Sequence, residues 1–419
     1  TYCVTKAIES YEIMYGAVAP NDNRHYGRMM RTSPLHAQLA AKGAIFNSVA
    51  GYERPLFFGN GDVRSETPTW GHSEAFPLVR EECLAVMQHA GVIDLTPSAK
   101  YEVTGADATA FLDRLSCNRL PAQDGRLGLT LFHAPGGGIM AEFSITRLSA
   151  EHYYLVGAIG SEIKDLDWMQ KHADGFDVEI HNITDDWGAM LLTGPASRTI
   201  LQALTTADVS NSAFPWLTAQ TLKIDSAEVR VIRVSYVGEL GYELHMPAYQ
   251  LLSIYHSLFR VGAEYGLRDF GGYAMSAMRM EKAYRAYGHE FTEEVSALEA
   301  GMERFVDLDR DFIGAANLRE REANKAQRTL NLAYLVFDDE LPCECYGNEA
   351  VYAGDELVGI ITGGAFGHRV GKSLAFAYLY RPEWVADGAE YKVLTSLGER
   401  VAHVALQAVY DADNQRLRS

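Results

Sequence analysis

The sequence predicts an α+β chain, with two mixed α+β units followed by a small antiparallel barrel or sandwich. Three observations carry this. Stretches with apolar residues at helical spacing are interleaved with stretches in which apolar and polar residues alternate. After about Asn324 the texture changes to short strands punctuated by Gly and Asp. The length of 419 residues exceeds what one core holds, since single cores stop growing near about 250 residues, so two or three domains are expected.

The elements follow in order. Residues 1–70 are rich in Arg, Tyr and Pro and read as a connector wrapped over its neighbours, with one helix around Pro34 to Lys42. Ala75 to Ala90 has a helical pattern, and Val92 to Leu95 and Tyr101 to Thr104 read as short strands broken at Pro97. Asp107 to Leu115 is a helix with an acidic start, which suits the helix dipole. Leu127 to Leu148 forms a hairpin turning at Pro135 to Gly138. A strand at Tyr153 to Ile159 precedes a helix at Ser161 to Ala173, with Ser161 as its N-cap.

After Asp177 the mixed pattern recurs. Asp177 to Ile183 and Ala189 to Thr193 are strands, and Ala196 to Leu204 is a helix. Val229 to Tyr236 alternates cleanly, and Gly241 to Met246 completes a hairpin around GELG. A helix at Ala248 to Gly266 follows. Tyr273, Ala277, Met280, Tyr284 and Tyr287 then recur at steps of three and four, which predicts a helix with Glu281 and Arg285 paired along its solvent side. Six short strands close the chain, at Leu330 to Phe337, Glu349 to Tyr352, Leu357 to Thr362, Ser373 to Tyr380, Glu390 to Leu394 and Arg400 to Ala408.

Composition removes several function classes. A formal charge of −18 argues against nucleic acid as partner, because a phosphate backbone attracts basic surfaces. No apolar run reaches the roughly 18 residues of a membrane span. Five cysteines do not make a disulfide framework, and Cys343 and Cys345 have no further thiols or histidines beside them to complete a zinc site. They read as ordinary loop thiols, and no metal is expected.

Several segments together carry a resemblance. They are NRHYGRMMRTSPL (Asn23 to Leu35), GAIFNSVAGYERPLFF (Gly43 to Phe58), DVEIHNITDDWGAMLLTGP (Asp177 to Pro195), YVGELGYE (Tyr236 to Glu243), YAMSAMRMEKAYRAYGHE (Tyr273 to Glu290), VGKSLAFAY (Val370 to Tyr378) and YDADNQRLR (Tyr410 to Arg418). In this order they resemble the folate-binding aminomethyltransferase family, including the glycine cleavage T protein. Within it they are most similar to the C-terminal part of dimethylglycine and sarcosine dehydrogenases. The resemblance runs from about residue 10 to the C-terminus. It implies two α+β lobes and a C-terminal antiparallel β-barrel around a central folate-binding opening. The corresponding domains are a connector over 1–70, a bipartite folate-binding region over 71–325 and the barrel over 326–419.

The resemblance also implies roles. Glu243 matches the glutamate that grips the pterin ring, and a carboxylate can take two parallel N–H bonds from an aminopyrimidine edge. Without that match, an outward strand glutamate would be the ordinary reading. Arg279 matches the arginine of the family's L-R-L-E motif, written here M-R-M-E, and either bonds the pterin or ties its helix to the barrel. Tyr236 would wall the pocket. Where the family carries an acidic Asp-Asp pair, this chain has Ala141 and Glu142, so Glu142 is the one candidate catalytic carboxylate. Arg369 and Lys372 are candidates for the anionic tail of the folate, with plain surface solvation as the equal alternative. Arg28, Arg31 and Arg54 are assigned to domain docking.

The implied activity is tetrahydrofolate-dependent one-carbon transfer in the oxidative N-demethylation of a dimethylglycine- or sarcosine-like amine, yielding methylenetetrahydrofolate. FAD would sit in a domain or subunit outside this chain, since the sequence lacks a G-x-G-x-x-G fingerprint. The opening TYCVTKAIESYEIMYG resembles the end of such a flavin domain, as in a fragment, a processed product or one subunit of a split enzyme. Three other readings stay open: a stand-alone aminomethyltransferase, a demethylase for another small methylated compound, and a non-catalytic folate-binding subunit. Expected partners are the amine, a flavin-bearing domain or subunit, and a second copy of the chain. The family places the protein in mitochondria or the bacterial cytoplasm.

Overall fold

A computed structural model describes all residues except 1, 17–19, 21, 24, 61–65, 71–72, 339–340 and 343–344, so Cys343 and Arg24 lie outside the described residues. The chain is α+β and closes with an antiparallel six-stranded barrel.

The first lobe is built on a five-stranded antiparallel sheet in the spatial order Leu127–His133, Ile139–Ser149, His152–Gly157, Ala99–Thr104, Glu179–Asn182. Strand alternation divides its faces. Tyr101, Val103, Phe143, Tyr153 and Leu155 pack against Phe111, Leu112 and Leu115 of the helix Ala108–Leu115 and Met169 of the helix Glu162–Lys171. Lys100, Glu102, Glu142 and Tyr154 therefore stand on the opposite face.

The second sheet has six strands, ordered Ala219–Ile224, Ala227–Ile232, Gly241–Pro247, Trp187–Thr193, Ala90–Asp94, Leu267–Asp269, the last pair parallel. Val229, Val231, Tyr242, Leu244 and Met246 turn to the helices Ser197–Gln202 and Leu251–Gly262. Glu243, His245 and Arg230 thus face the first sheet. The two units are interleaved. Ala90–Asp94 belongs to the second sheet and Ala99–Thr104 to the first, so the break at Pro97 is where the chain changes sheets.

In the barrel, Ala333, Leu335 and Phe337 point inward. Leu332, Tyr334 and Val336 point outward into a shared core with the helices Ala75–Gln88 and Gly272–Glu281. That shared core joins barrel and lobes.

The structure departs from expectation in several places. The connector holds a helix, Tyr2–Met14, and a hairpin, Ala44–Val49 with Tyr52–Phe58, that its composition did not announce. The strand expected to Tyr236 stops at Ile232, its last register partner being Glu243. Arg233 then turns inward to bond Asn211 and the Phe214 carbonyl. Ser161 occupies the helix N-cap, but its hydroxyl bonds Asp165 at 2.6 Å rather than a backbone amide. The helix expected to continue past Tyr284 ends at Glu281. Ala283 N–H bonds the Met280 carbonyl and Tyr284 N–H the Arg279 carbonyl, with Ala283 at φ 52°, which is a Schellman stop. Glu281 and Arg285 consequently do not pair. Glu281 is buried and bonds Arg369, while Arg285 bonds the Ala283 and Gly301 carbonyls.

Candidate functional site

Three of the four candidate residues meet. Glu142 extends from the inward face of Ile139–Ser149, Tyr236 from the loop after Ile232, and Arg279 from the last turn of Gly272–Glu281. Tyr236 lies within electrostatic reach of Arg279, Glu142 and Glu290, and its ring stacks on Tyr284 with centroids 5.7 Å apart. Its hydroxyl donates to the Arg285 carbonyl.

Arg279 is held in place from one side. Its Nη1 donates to Glu290 at 2.8 Å and to the Tyr284 carbonyl at 2.9 Å. Glu290 is fixed in turn by the Ala286 amide and Thr362 of the barrel. Of the two sequence readings of Arg279, the tie from its helix toward the barrel is realised in part. It ties its helix to the segment that meets the barrel, and its Nε and Nη2 have no protein partner among the described residues.

Glu142 keeps part of its surface open although protein surrounds it, as for a side chain lining an interior opening. Burial, and then the charge of Glu290, push its carboxyl up to about 8, against opposing effects of the Tyr287 backbone amide and Arg279. The group is therefore largely protonated at neutral pH.

Glu243 does not join that trio. It stands on the inter-sheet face beside a different set of partners. Its Oε2 accepts from His245 Nε2 at 3.0 Å, and His245 Nδ1 meets the Tyr154 hydroxyl at 2.9 Å. Burial pushes His245 below the usual histidine range, so the ring is neutral at pH 7. If Tyr154 donates to Nδ1, its one proton sits on Nε2 and faces the carboxylate. This relay orients Glu243 and leaves Oε1 without a protein partner among the described residues.

Sequence reasoning missed His245, Tyr154, Lys100 and Glu290. His245 shares Glu243's face two residues on, which strand periodicity could have shown. Lys100 could not have been found. It is fully buried, donates to the Thr96 and Ser98 carbonyls at 2.8 Å, and burial lowers it to about 7.

One other candidate changes. Arg369 is not a tail ligand, because it bonds Glu281, Glu239 and the Val237 and Met278 carbonyls. Glu239 is buried and structural, also bonding Arg416 and Tyr410. Two open surface recesses, one beside Arg119 and Arg126, the other beside His89 and Tyr265, contain none of the candidate residues.

Comparison with known proteins gives the family. Residues 35–310 match the GCVT N-terminal domain and residues 331–411 the glycine cleavage T-protein C-terminal barrel domain. The chain belongs to the glycine cleavage T-protein family. It is 35% identical to dimethylglycine dehydrogenase of Homo sapiens over 97% of this chain and 47% of that relative, so it spans about half the relative's length. It is 31% identical to an aminomethyltransferase of Thermoanaerobacter over 74% of this chain and 83% of that one. The fold matches the crystal structure of the glycine cleavage system aminomethyltransferase T from Bartonella henselae with a TM-score of 0.79 at 19% identity, covering 91% of this chain and 99% of that one. Both relatives are enzymes by name. No helix among the described residues is long and apolar enough to cross a membrane.

Proposed function

We propose that this chain binds a reduced folate between its two sheets and accepts a one-carbon unit there from an N-methylated amine. The observation that carries the reading is the meeting of an acid, an arginine with free donors and an aromatic wall, together with a Glu243 that His245 orients on the inter-sheet face. The donor set fits the group. Oε1 of Glu243 and the Nε and Nη2 of Arg279 offer acceptor and donors to a pterin, and Tyr236 offers a flat face. A reduced folate supplies the amine nucleophile that takes up the carbon.

The chain's own residues would bind, orient and move the proton. Glu243 would accept from the aminopyrimidine edge and fix the ring. Glu142, with a carboxyl near neutrality, would take the amine proton when ionised and return it when protonated. Enclosure between the sheets would keep water from the electrophile. The flavin that oxidises the amine would belong to a partner domain or subunit. The connector over 1–70 would dock that partner, and the folate region would extend over 71–325 before the barrel.

The test is a calorimetric titration of the purified chain with folinic acid, beside Glu243→Ala. Saturable binding by the wild type that weakens on the order of ten- to a hundredfold in the variant supports the reading, as expected when a charge-assisted contact is lost. Equal binding by both would place the pterin elsewhere.

A further inference from the structure

Of the three connector arginines read as docking residues, the structure gives partners to only two. Arg28 bonds Glu53 and the Phe46 carbonyl. Arg31 bonds Glu162 and Asp185. Arg54 makes no hydrogen bond or ion pair among the described residues. Yet it is deeply set on the strand Tyr52–Phe58, and burial alone, with no carboxylate to offset it, holds its guanidinium below the usual arginine range.

Its surroundings are polar. Its register partner on the hairpin is Asn47, whose Oδ1 is itself buried without a partner. Gly272, at the start of the helix that carries Arg279, lies beside Arg54, since a β-carbon there would stand 3.7 Å from Arg54 Nη2. His289 lies within electrostatic reach of Arg54, Arg279 and Glu290, and its ring makes no hydrogen bond among the described residues. Arg54 and His289 thus extend the Arg279–Glu290 centre toward the connector.

A buried guanidinium without an anion is costly, and a planar fork of donors fits a carboxylate best. We infer that Arg54, with Asn47 and His289 beside it, is a carboxylate-recognition site at the connector side of the opening. The carboxylate is either that of the folate's glutamyl tail or that of the N-methylated amino acid. This deepens the proposed function, the first source resting on its folate part and the second on its amine part.

The experiment is a set of titrations on wild type, Arg54→Gln and Arg28→Gln. The ligands are folinic acid, a reduced pterin lacking the p-aminobenzoylglutamate, and sarcosine. For whichever carboxylate ligand docks there, Arg54→Gln should weaken binding on the order of ten- to a hundredfold, the range expected for a charge-assisted contact. The tail-less pterin should bind wild type and Arg54→Gln equally, which separates this site from the pterin site at Glu243. Arg54→Gln should melt no lower than wild type, whereas Arg28→Gln should melt lower. Unchanged affinity for both carboxylates, or wild type binding neither, overturns the inference. So does a fall in melting temperature for Arg54→Gln without loss of affinity, which would make Arg54 a docking residue. Failure of the folate reading alone is recognised by wild type binding sarcosine but no pterin.

Discussion

At the residue scale, Glu142 shows how packing sets chemistry. Its carboxyl is moved from an ordinary 4.5 to about 8 by burial and by Glu290. Between those values the folded chain keeps a proton that the unfolded chain has released. Stability therefore falls as pH rises through that window. Glu142→Gln cannot release a proton, so its stability, measured by urea unfolding from pH 5 to 9, should exceed that of wild type increasingly toward high pH. Taking the difference between the two curves removes the contribution of Glu82, whose buried carboxyl is likewise pushed up to about 8. A constant offset between the curves would mean that Glu142 is not perturbed in this way. That Glu142 was a candidate at all was legible, since it stands alone where the family has an acidic pair. Its protonation was not, because Glu290 reaches it only through the tertiary fold.

At the element scale, the helix Gly272–Glu281 decides where Arg279 points. Periodicity ran on through Tyr284 and Tyr287, because the apolar spacing happens to persist beyond the helix. The stop uses Ala283 in the left-handed region, a position that glycine usually fills. Ala283→Gly removes the steric penalty of about 1–2 kcal/mol for an L-residue there and gives back about 0.4–1 kcal/mol through a freer unfolded chain. The variant should therefore gain roughly 0.5–1 kcal/mol, read as a higher urea midpoint at unchanged slope. A lower midpoint would show that the alanine methyl packs usefully. The barrel strands behaved differently. All six were legible, because short β-prone runs are separated by turns rich in Gly and Asp.

At the scale of the whole molecule, a buried ionic knot links the parts. Arg369, in the turn between two barrel strands, bonds Glu281 of the helix and Glu239 of the loop after Ile232. The ring of Tyr410 lies 3.9 Å from its guanidinium, and Arg416 closes on Glu239 at 2.6 Å. Removing Arg369 leaves two carboxylates buried, and breaking such pairs costs about 3–5 kcal/mol. Arg369→Ala should thus lose that much in urea unfolding. It should also expose the segment after Tyr410 to limited proteolysis. Retained stability with an intact tail would show that the knot does not hold the parts together.

The sequence by itself determined the helix and strand periodicities, the barrel, and the family positions Tyr236, Glu243, Arg279 and Glu142. These are local patterns or ordered motifs, and each is written in consecutive residues. The tertiary structure alone decided which sheet each strand joins, and that Glu243 works with His245 and Tyr154 while Glu142 faces Arg279 and Glu290. It also decided that Arg369 is spent on structure while Arg54 is left free. The physical reason is the same throughout. Charge pairing and burial depend on groups brought together from distant segments, and one strand's alternation carries no record of the sheet that will face it.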